Sequence, residues 1–152
     1  MINSLKPILL AEDSVQDVEL TLAAFAEHNI LNPVVVARDG EEALDYLYCR
    51  GAFADRSPGI PALVLLDLKM PKLDGLEALA VIKADDRLRT VPVVMLTSSR
   101  EERDLVRSYS LGVNAYVVKP VDFREFVDAV KEIGIFWAVV NETPRGSPTA
   151  SS

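Results

Sequence analysis

The chain has 152 residues, of which 49% are hydrophobic and 26% charged, and its 16 basic and 23 acidic side chains give a formal net charge of −7. This length and apolar content suffice for one domain that folds without a disulfide framework or a structural metal. The acidic balance disfavours binding to nucleic acid or to anionic lipid, because the sequence contains no basic stripe that would offset it.

Nothing in the sequence indicates export or membrane insertion. No run approaches the roughly 18 continuous apolar residues that would span a bilayer. The single cysteine, Cys49, cannot form an internal disulfide and suits a reducing compartment. We therefore expect a soluble cytoplasmic protein with no membrane partner. Residues 1–140 should form the folded domain, and residues 141–152, rich in Ser, Thr, Pro and Gly, should be a disordered tail.

Five short aliphatic runs predict buried strands. They lack an alternation of apolar and polar residues, which is typical of strands that helices cover on both faces of a parallel sheet. In chain order the runs are Ile8–Ala11, Val34–Ala37, Ala62–Leu66, Val93–Leu96 and Ala115–Val118.

Stretches with helical spacing of apolar residues separate these strands. The first follows Ser14, a good N-cap, and places Val18, Leu22 and Phe25 on one face. The alternation of strand and helix predicts a doubly wound α/β fold, with a five-stranded parallel sheet and right-handed crossovers. One connection, residues 50–61, is long, and loops of this length are either functional or simply tolerated.

Polar side chains stand where the predicted strands end. They are Glu12 and Asp13 after the first strand, Asp67 after the third, Thr97 after the fourth and Lys119 after the fifth. Ligands of open α/β sheets bind outside the carboxyl ends of the strands. We therefore expect three carboxylates, one hydroxyl and one ammonium group to meet in a single crevice.

Each of these residues also has a purely structural interpretation. Asp13 could cap the next helix, Asp67 could stabilise a turn, and Lys119 could be a solvated amine. Taken as a set these interpretations fail, because carboxylates crowded in a partly dehydrated cleft repel one another unless a cation neutralises them. Hard oxygen ligands of this kind favour Mg²⁺. With the metal bound, Asp67 would be a nucleophile toward phosphorus, and the product would be an aspartyl phosphate.

These motifs resemble the receiver domain of two-component response regulators. The likeness rests on the acidic pair at 12–13, the segment DLKMPKLDG at 67–75, Thr97, and Lys119 with the following proline, and it extends over residues 6–134. It implies the flavodoxin-like fold with strand order 2-1-3-4-5. It also implies a single-domain response regulator that accepts a phosphoryl group from a sensor histidine kinase and switches a protein–protein surface. Such a protein is not an enzyme beyond its own Mg²⁺-dependent phosphorylation and dephosphorylation.

The resemblance assigns the phosphoacceptor and the metal ligands. Asp67 would accept the phosphoryl group. Mg²⁺ would be bound by Asp13, Asp67 and the backbone carbonyl of Lys69, with Glu12 contributing indirectly.

The resemblance also assigns the switch. Lys119 would pair with the phosphoryl group, and its peptide bond to Pro120 would be cis. Thr97 would move toward the phosphoryl group and Tyr116 would rotate inward. The surface that changes would be formed by the predicted fourth helix, fifth strand and fifth helix.

Two other functions stay open at this point. An Asp-nucleophile phosphatase of the haloacid dehalogenase type would also use Mg²⁺ and an aspartyl phosphate, but it needs a second Asp two residues after the nucleophile, where this chain has Lys69. A receiver-like scaffold that does not accept phosphate is disfavoured by the complete set of site residues. Ser98, where the family often has Ala, is a mild departure.

The end of the predicted last helix is apolar on almost every side. Its apolar residues are Ile135, Phe136, Trp137, Val139 and Val140. A helix of this kind is normally buried, so we predict a homodimer through this helix and the fifth strand. The alternative is that the segment folds back on its own domain. Together with the long loop and the absence of an output domain, this ending resembles the response regulators associated with bacterial phytochrome kinases, which implies a bacteriophytochrome as the partner kinase.

Overall fold

A computed structural model describes residues 5–98, 113 and 115–132. Three predicted features lie outside these residues. They are the fourth helix, the apolar segment with Ile135, Phe136, Trp137 and Val140, and the tail at 141–152.

The sheet has five parallel strands in the order β2-β1-β3-β4-β5. The strands are β1 Ile8–Ala11, β2 Val34–Ala37, β3 Leu63–Asp67, β4 Val93–Thr97 and β5 Ala115–Val118. The predicted sheet and its order are confirmed. The predicted third and fourth strands stop one residue short, because Asp67 and Thr97 are the last residues of their strands and not members of the following turns.

The described residues contain four α-helices and a short 3-10 turn at Gly51–Phe53. The helices are α1 Val15–Glu27, α2 Gly40–Tyr48, α3 Gly75–Ala84 and α4 Phe123–Glu132. None of the helices in the described ranges has both the length and the apolar character needed to cross a membrane.

The helices cover both faces of the sheet because successive strand side chains point to opposite faces. Leu9 and Val64 pack with residues of α2 and α3 in one core. Ile8 and Leu63 pack in a second core with α1 and α4, where the rings of Phe25 and Phe126 lie 4.8 Å apart. The central strands β1, β3 and β4 are buried along their whole length, whereas the edge strands β2 and β5 include half-buried positions.

Local hydrogen bonds fix where the helices begin at the carboxyl edge of the sheet. The Ser14 side chain accepts a bond from the Asp17 N–H, so α1 starts directly after the tip of β1. Asp74 and Glu77 form a reciprocal capping box that starts α3 just beyond β3. These caps hold the loops that surround the strand tips.

The long connection between α2 and β3 is fastened to α2 by Arg56. Its Nε donates to the carbonyl oxygen of Tyr46 at 2.7 Å, and its guanidinium group lies 3.9 Å from the centre of the Tyr46 ring. The same guanidinium donates to the carbonyls of Ser57 and Gly59. The loop is therefore ordered by its own arginine.

Candidate functional site

A cavity of about 160 Å³ opens at the carboxyl edge of the sheet. Its lining combines residues from the tips of β1, β3, β4 and β5 with the first turn of α1: Glu12, Asp13, Ser14, Asp17, Asp67, Leu68, Lys69, Ser98 and Lys119. The structure thus brings together the three predicted carboxylates and the predicted ammonium group, which are separated by more than 100 positions in the sequence.

Three carboxylates share the ammonium group of Lys119. Its Nζ lies 3.0 Å from Asp17 Oδ2, 3.1 Å from Glu12 Oε1 and 3.3 Å from Asp67 Oδ2. An ammonium group has three N–H donors, so these three contacts use all of them. One positive charge therefore faces three negative charges, and the pocket has an excess of negative charge.

The carboxylates are spaced for a divalent cation. One oxygen each from Glu12, Asp13 and Asp67 lies within 4.8 Å of the others, with Glu12 and Asp67 buried and Asp13 exposed. Hard oxygen donors in such a cluster suit Mg²⁺ or Mn²⁺, and the exposed carboxylate leaves room for water on the metal. Lys69, two residues after Asp67, lines the same cavity. The residues present fit a divalent ion.

The electrostatics of Asp67 reflect this crowding. Burial, and after it the charge of Glu12, raise the pKa of Asp67 against the opposing effect of Lys119, and the net value is about 7. For Lys119, burial alone would lower the pKa, but the contacts with Asp17, Asp67 and Glu12 raise it above its usual value. Additional positive charge at this site would favour the ionised form of Asp67.

Gly75 allows the start of α3 to lie directly against the backbone of Asp67. A Cβ atom at this position would lie 2.2 Å from the Asp67 carbonyl oxygen, and the Gly75 N–H donates to the Leu68 carbonyl at 3.0 Å. Any larger residue would push the helix away from the strand tip. The Asp74-Gly75 pair, which begins α3, therefore also positions Asp67.

Glu12 is held on two sides. Its backbone N–H donates to the Ala37 carbonyl of β2 at 2.9 Å, and its Oε2 accepts a bond from the Ser14 N–H at 3.1 Å. The side chain is 2% exposed. Glu12 is thus a fixed, buried charge between Lys119 and the N-terminus of α1.

The remaining predicted features lie on β4, on β5 and directly after β5. Thr97 is buried at the tip of β4, and its carbonyl accepts the Lys119 N–H at 2.7 Å. Tyr116 pairs in register with Met95 and is half-buried against the core under α2 and α3. The peptide bond between Lys119 and Pro120 is cis.

Asp17 is the site residue that sequence reasoning missed. The expected crevice lies at the strand tips, whereas Asp17 lies in the first turn of α1. A signal was present in the spacing Ser14-x-x-Asp17, because an N-cap followed by an acidic third residue turns that side chain back toward the preceding strand.

Residues 8–131 match the family model described as the response regulator receiver domain. The structure of the bacteriophytochrome response regulator AtBRR is 61% identical, with a TM-score of 0.85 over 92% of this chain and 100% of that chain. The phosphorylated cyanobacterial phytochrome response regulator RcpA is 41% identical, with a TM-score of 0.73 over 92% of this chain and 98% of that chain.

The response regulator Rcp1 of Synechocystis is 40% identical over 135 residues, which are 89% of this chain and 90% of Rcp1. Its Mn²⁺-bound crystal structure has a TM-score of 0.71 over 91% of this chain and 99% of that chain.

A doubly wound parallel sheet that gathers buried carboxylates and a lysine at its carboxyl edge defines a signalling module of the receiver type. This chain belongs to the response regulator receiver domain family. Its function is that of a response regulator in two-component phosphorelay signalling, as predicted from its motifs.

Proposed function

We propose that Asp67 accepts a phosphoryl group from the phosphohistidine of a sensor kinase and that this modification switches a protein-binding surface. One observation carries the proposal. The Lys119 ammonium group lies 3.3 Å from Asp67 Oδ2, while oxygens of Glu12 and Asp13 lie within 4.8 Å of an Asp67 oxygen. A carboxylate with a cation on one side and metal-binding oxygens on the other is equipped for phosphoryl transfer.

Asp13, Asp67 and the backbone carbonyl of Lys69 would hold Mg²⁺, with Glu12 acting indirectly through its fixed charge. When bound, the ion offsets the repulsion among the carboxylates and neutralises charge on the transferring phosphoryl oxygens. The Mn²⁺-bound form of Rcp1 supports a divalent ion in a relative of this chain.

The residues of the chain position the reacting atoms. An Asp67 oxygen attacks phosphorus and forms the P–O bond, while the P–N bond of the phosphohistidine breaks and its electron pair leaves with the imidazole, which takes up a proton. Lys119 and the Thr97 hydroxyl would stabilise the phosphoryl oxygens as charge develops. Catalysis by the chain would be limited to this transfer and to the later hydrolysis of its own acyl phosphate.

Thr97 and Tyr116 would carry the signal away from the site. A phosphoryl group brings up to about two negative charges and three acceptor oxygens. Reversing a two-state equilibrium from about 1:99 to 99:1 takes roughly 5.5 kcal/mol, which a few charge-assisted hydrogen bonds can supply. Tyr116 lies on the strand next to Thr97 and pairs with Met95, two residues before Thr97, which supports a route from the site to the outer edge of the sheet.

The partner kinase would be of the phytochrome type. This assignment is supported by the likeness to a bacteriophytochrome response regulator and to a cyanobacterial phytochrome response regulator. We propose a cytoplasmic location, where a kinase that uses ATP would phosphorylate the chain.

We also propose a homodimer formed through Ile135, Phe136, Trp137 and Val140, supported by the apolar character of that segment in the sequence. Phe136→Glu should convert the dimer to a monomer in sedimentation velocity. An unchanged sedimentation coefficient would contradict this interface.

Intact-mass spectrometry with Mg²⁺ and a small phosphoryl donor, acetyl phosphate or phosphoramidate, tests the proposed acceptor. The parent should gain one phosphoryl group, and the gain should disappear when EDTA is added or in Asp67→Asn. Asp86→Asn makes the same charge change at a side chain that is 90% exposed and should be modified like the parent. Equal modification of Asp67→Asn and the parent would refute the assignment and favour a receiver-like scaffold or another acceptor.

A further inference from the structure

Asp17 makes the shortest of the three contacts to Lys119. Its Oδ2 lies 3.0 Å from Nζ, compared with 3.3 Å for Asp67. The Lys119 and Asp17 side chains are 16% and 32% exposed, so this ion pair is partly shielded from water. Because all three ammonium donors are already used, a phosphoryl oxygen can gain a donor from Lys119 only if a carboxylate gives one up.

Asp17 is the one of these three carboxylates for which the proposed function gives no other role. Asp67 would carry the phosphoryl group, and Glu12 is fixed next to the metal-binding oxygens and bonded to the Ser14 N–H. The Asp17 carboxylate lies on the first turn of α1, on the wall of the cavity. Its charge draws Lys119 toward α1, and it also repels any anion that enters the cavity.

We propose that Asp17 is a positioning residue that competes with the phosphoryl group for Lys119, so that it holds the lysine before phosphorylation and opposes its transfer to the phosphoryl oxygens afterwards. This inference rests on the proposed role of Asp67 and deepens it. It makes Asp17 a determinant of how strongly the phosphorylated state is favoured. A substitution that removes the charge should strengthen the binding of a phosphoryl group at Asp67.

The alternative is that Asp17 only stabilises α1. An acidic residue in the first turn of a helix interacts favourably with the helix dipole, and the Asp17 N–H is already bonded to the Ser14 side chain. That role would change the stability of the protein without changing its affinity for an anion.

The test uses beryllium fluoride, a tetrahedral mimic of the acyl phosphate, at a Mg²⁺ concentration shown to be saturating for each variant. Asp17→Asn should bind beryllofluoride about 3- to 10-fold more tightly than the parent, which is the effect of one partly shielded charge-assisted contact. Glu19→Gln is the matched control, because Glu19 is an exposed residue of the same helix and its substitution makes the same change in net charge. Its affinity should change by less than about twofold.

A double-mutant cycle locates the effect on Lys119. In a Lys119→Ala background, Asp17→Asn should lose most of its effect, because the lysine for which it competes is gone. Asp17→Glu, which keeps the charge, should bind beryllofluoride more weakly than Asp17→Asn.

Each outcome separates this inference from the proposed function. If the parent binds no beryllofluoride, the role of Asp67 fails. If the parent binds it but Asp17→Asn behaves like Glu19→Gln, or keeps its full effect without Lys119, only the role of Asp17 is refuted. If Asp17→Asn loses thermal stability but keeps the parent's affinity for beryllofluoride, Asp17 only stabilises α1.

Discussion

Asp67 ends β3, and Asp85 follows the last residue of α3, so the two aspartates lie at opposite ends of the sheet. Their pKa values are shifted in opposite directions. Burial and the charge of Glu12 together raise the pKa of Asp67 to about 7, although Lys119 opposes them. The hydrogen bond from the Tyr48 hydroxyl lowers the pKa of Asp85 to about 2, assisted by Arg87.

The difference lies in the balance of charge and donors around each carboxylate. At the carboxyl edge one ammonium group serves three carboxylates, whereas Asp85 receives bonds from the hydroxyl of Tyr48 and from the backbone and guanidinium of Arg87. When hydrogen-bond donors stabilise its charged form, a carboxylate contributes to the stability of the folded protein without a metal ion. A buried carboxylate without them destabilises it until a cation or a chemical modification changes the charge. The unbalanced end of the molecule is therefore the functional end.

The largest effect is expected from removing the shared cation. Lys119→Met leaves three carboxylates facing one another and should lower the free energy of unfolding by about 2–4 kcal/mol in the absence of Mg²⁺, since loss of one partner of a buried ion pair leaves uncompensated charge. Arg87→Met removes a cation whose side chain is 75% exposed and screened by water, so its effect on stability should be much smaller than that of Lys119→Met. Urea denaturation of both variants measures the difference. Equal losses of unfolding free energy in the two variants would show that burial does not distinguish the surroundings of Lys119 from those of Arg87.

A smaller effect of opposite sign is expected from Asp67→Asn. Without Mg²⁺ this variant should be more stable than the parent by about 1–2 kcal/mol at neutral pH, because one of the repelling charges is removed. Mg²⁺ should then stabilise the parent more than the variant, because the parent binds it more tightly in the folded state. Equal denaturation midpoints for both proteins with and without Mg²⁺ would contradict the account of charge crowding.

The two carboxylates should also differ in their pH dependence. Between about pH 4 and pH 7 the folded protein keeps a proton on Asp67 that the unfolded chain releases, so without Mg²⁺ the contribution of Asp67 to stability falls as the pH rises. The lowered pKa of Asp85 acts the other way: its contribution is present above about pH 4 and is lost as the pH falls toward 2. Difference curves of the free energy of unfolding against pH, parent minus Asp67→Asn and parent minus Asp85→Asn, should have slopes of opposite sign in these two ranges. Slopes of the same sign would be inconsistent with the two environments.

Much of the fold followed from the sequence because its signals are local. Continuous aliphatic runs marked the strands, and Ser14 marked a helix start that the structure confirms. The strand order came from the family resemblance and not from the pattern itself. The ends of β3 and β4 were misplaced because Asp67 and Thr97 are polar residues that continue a strand, which hydrophobicity alone cannot show.

The sequence predicted most of the residues that form the site, but it did not predict their burial or their pKa shifts. The carboxyl-edge rule brought Glu12, Asp13, Asp67 and Lys119 together, since parallel strands end at one edge. The rule could not show that Glu12 is buried while Asp13 is exposed, since adjacent residues after a strand point in different directions. It also could not include Asp17, whose position depends on how the first turn of α1 folds over the tip of β1.

Chemical mapping of the modified residue gives the sharpest check on Asp67 as the phosphoacceptor. After phosphorylation in the presence of Mg²⁺, borohydride reduces an aspartyl phosphate to homoserine, which tandem mass spectrometry locates in the digested chain. Homoserine is expected at position 67 and at no other aspartate. Homoserine at position 13 or 17, or a phosphorylated chain that yields none, would contradict the assignment of Asp67 as the acceptor.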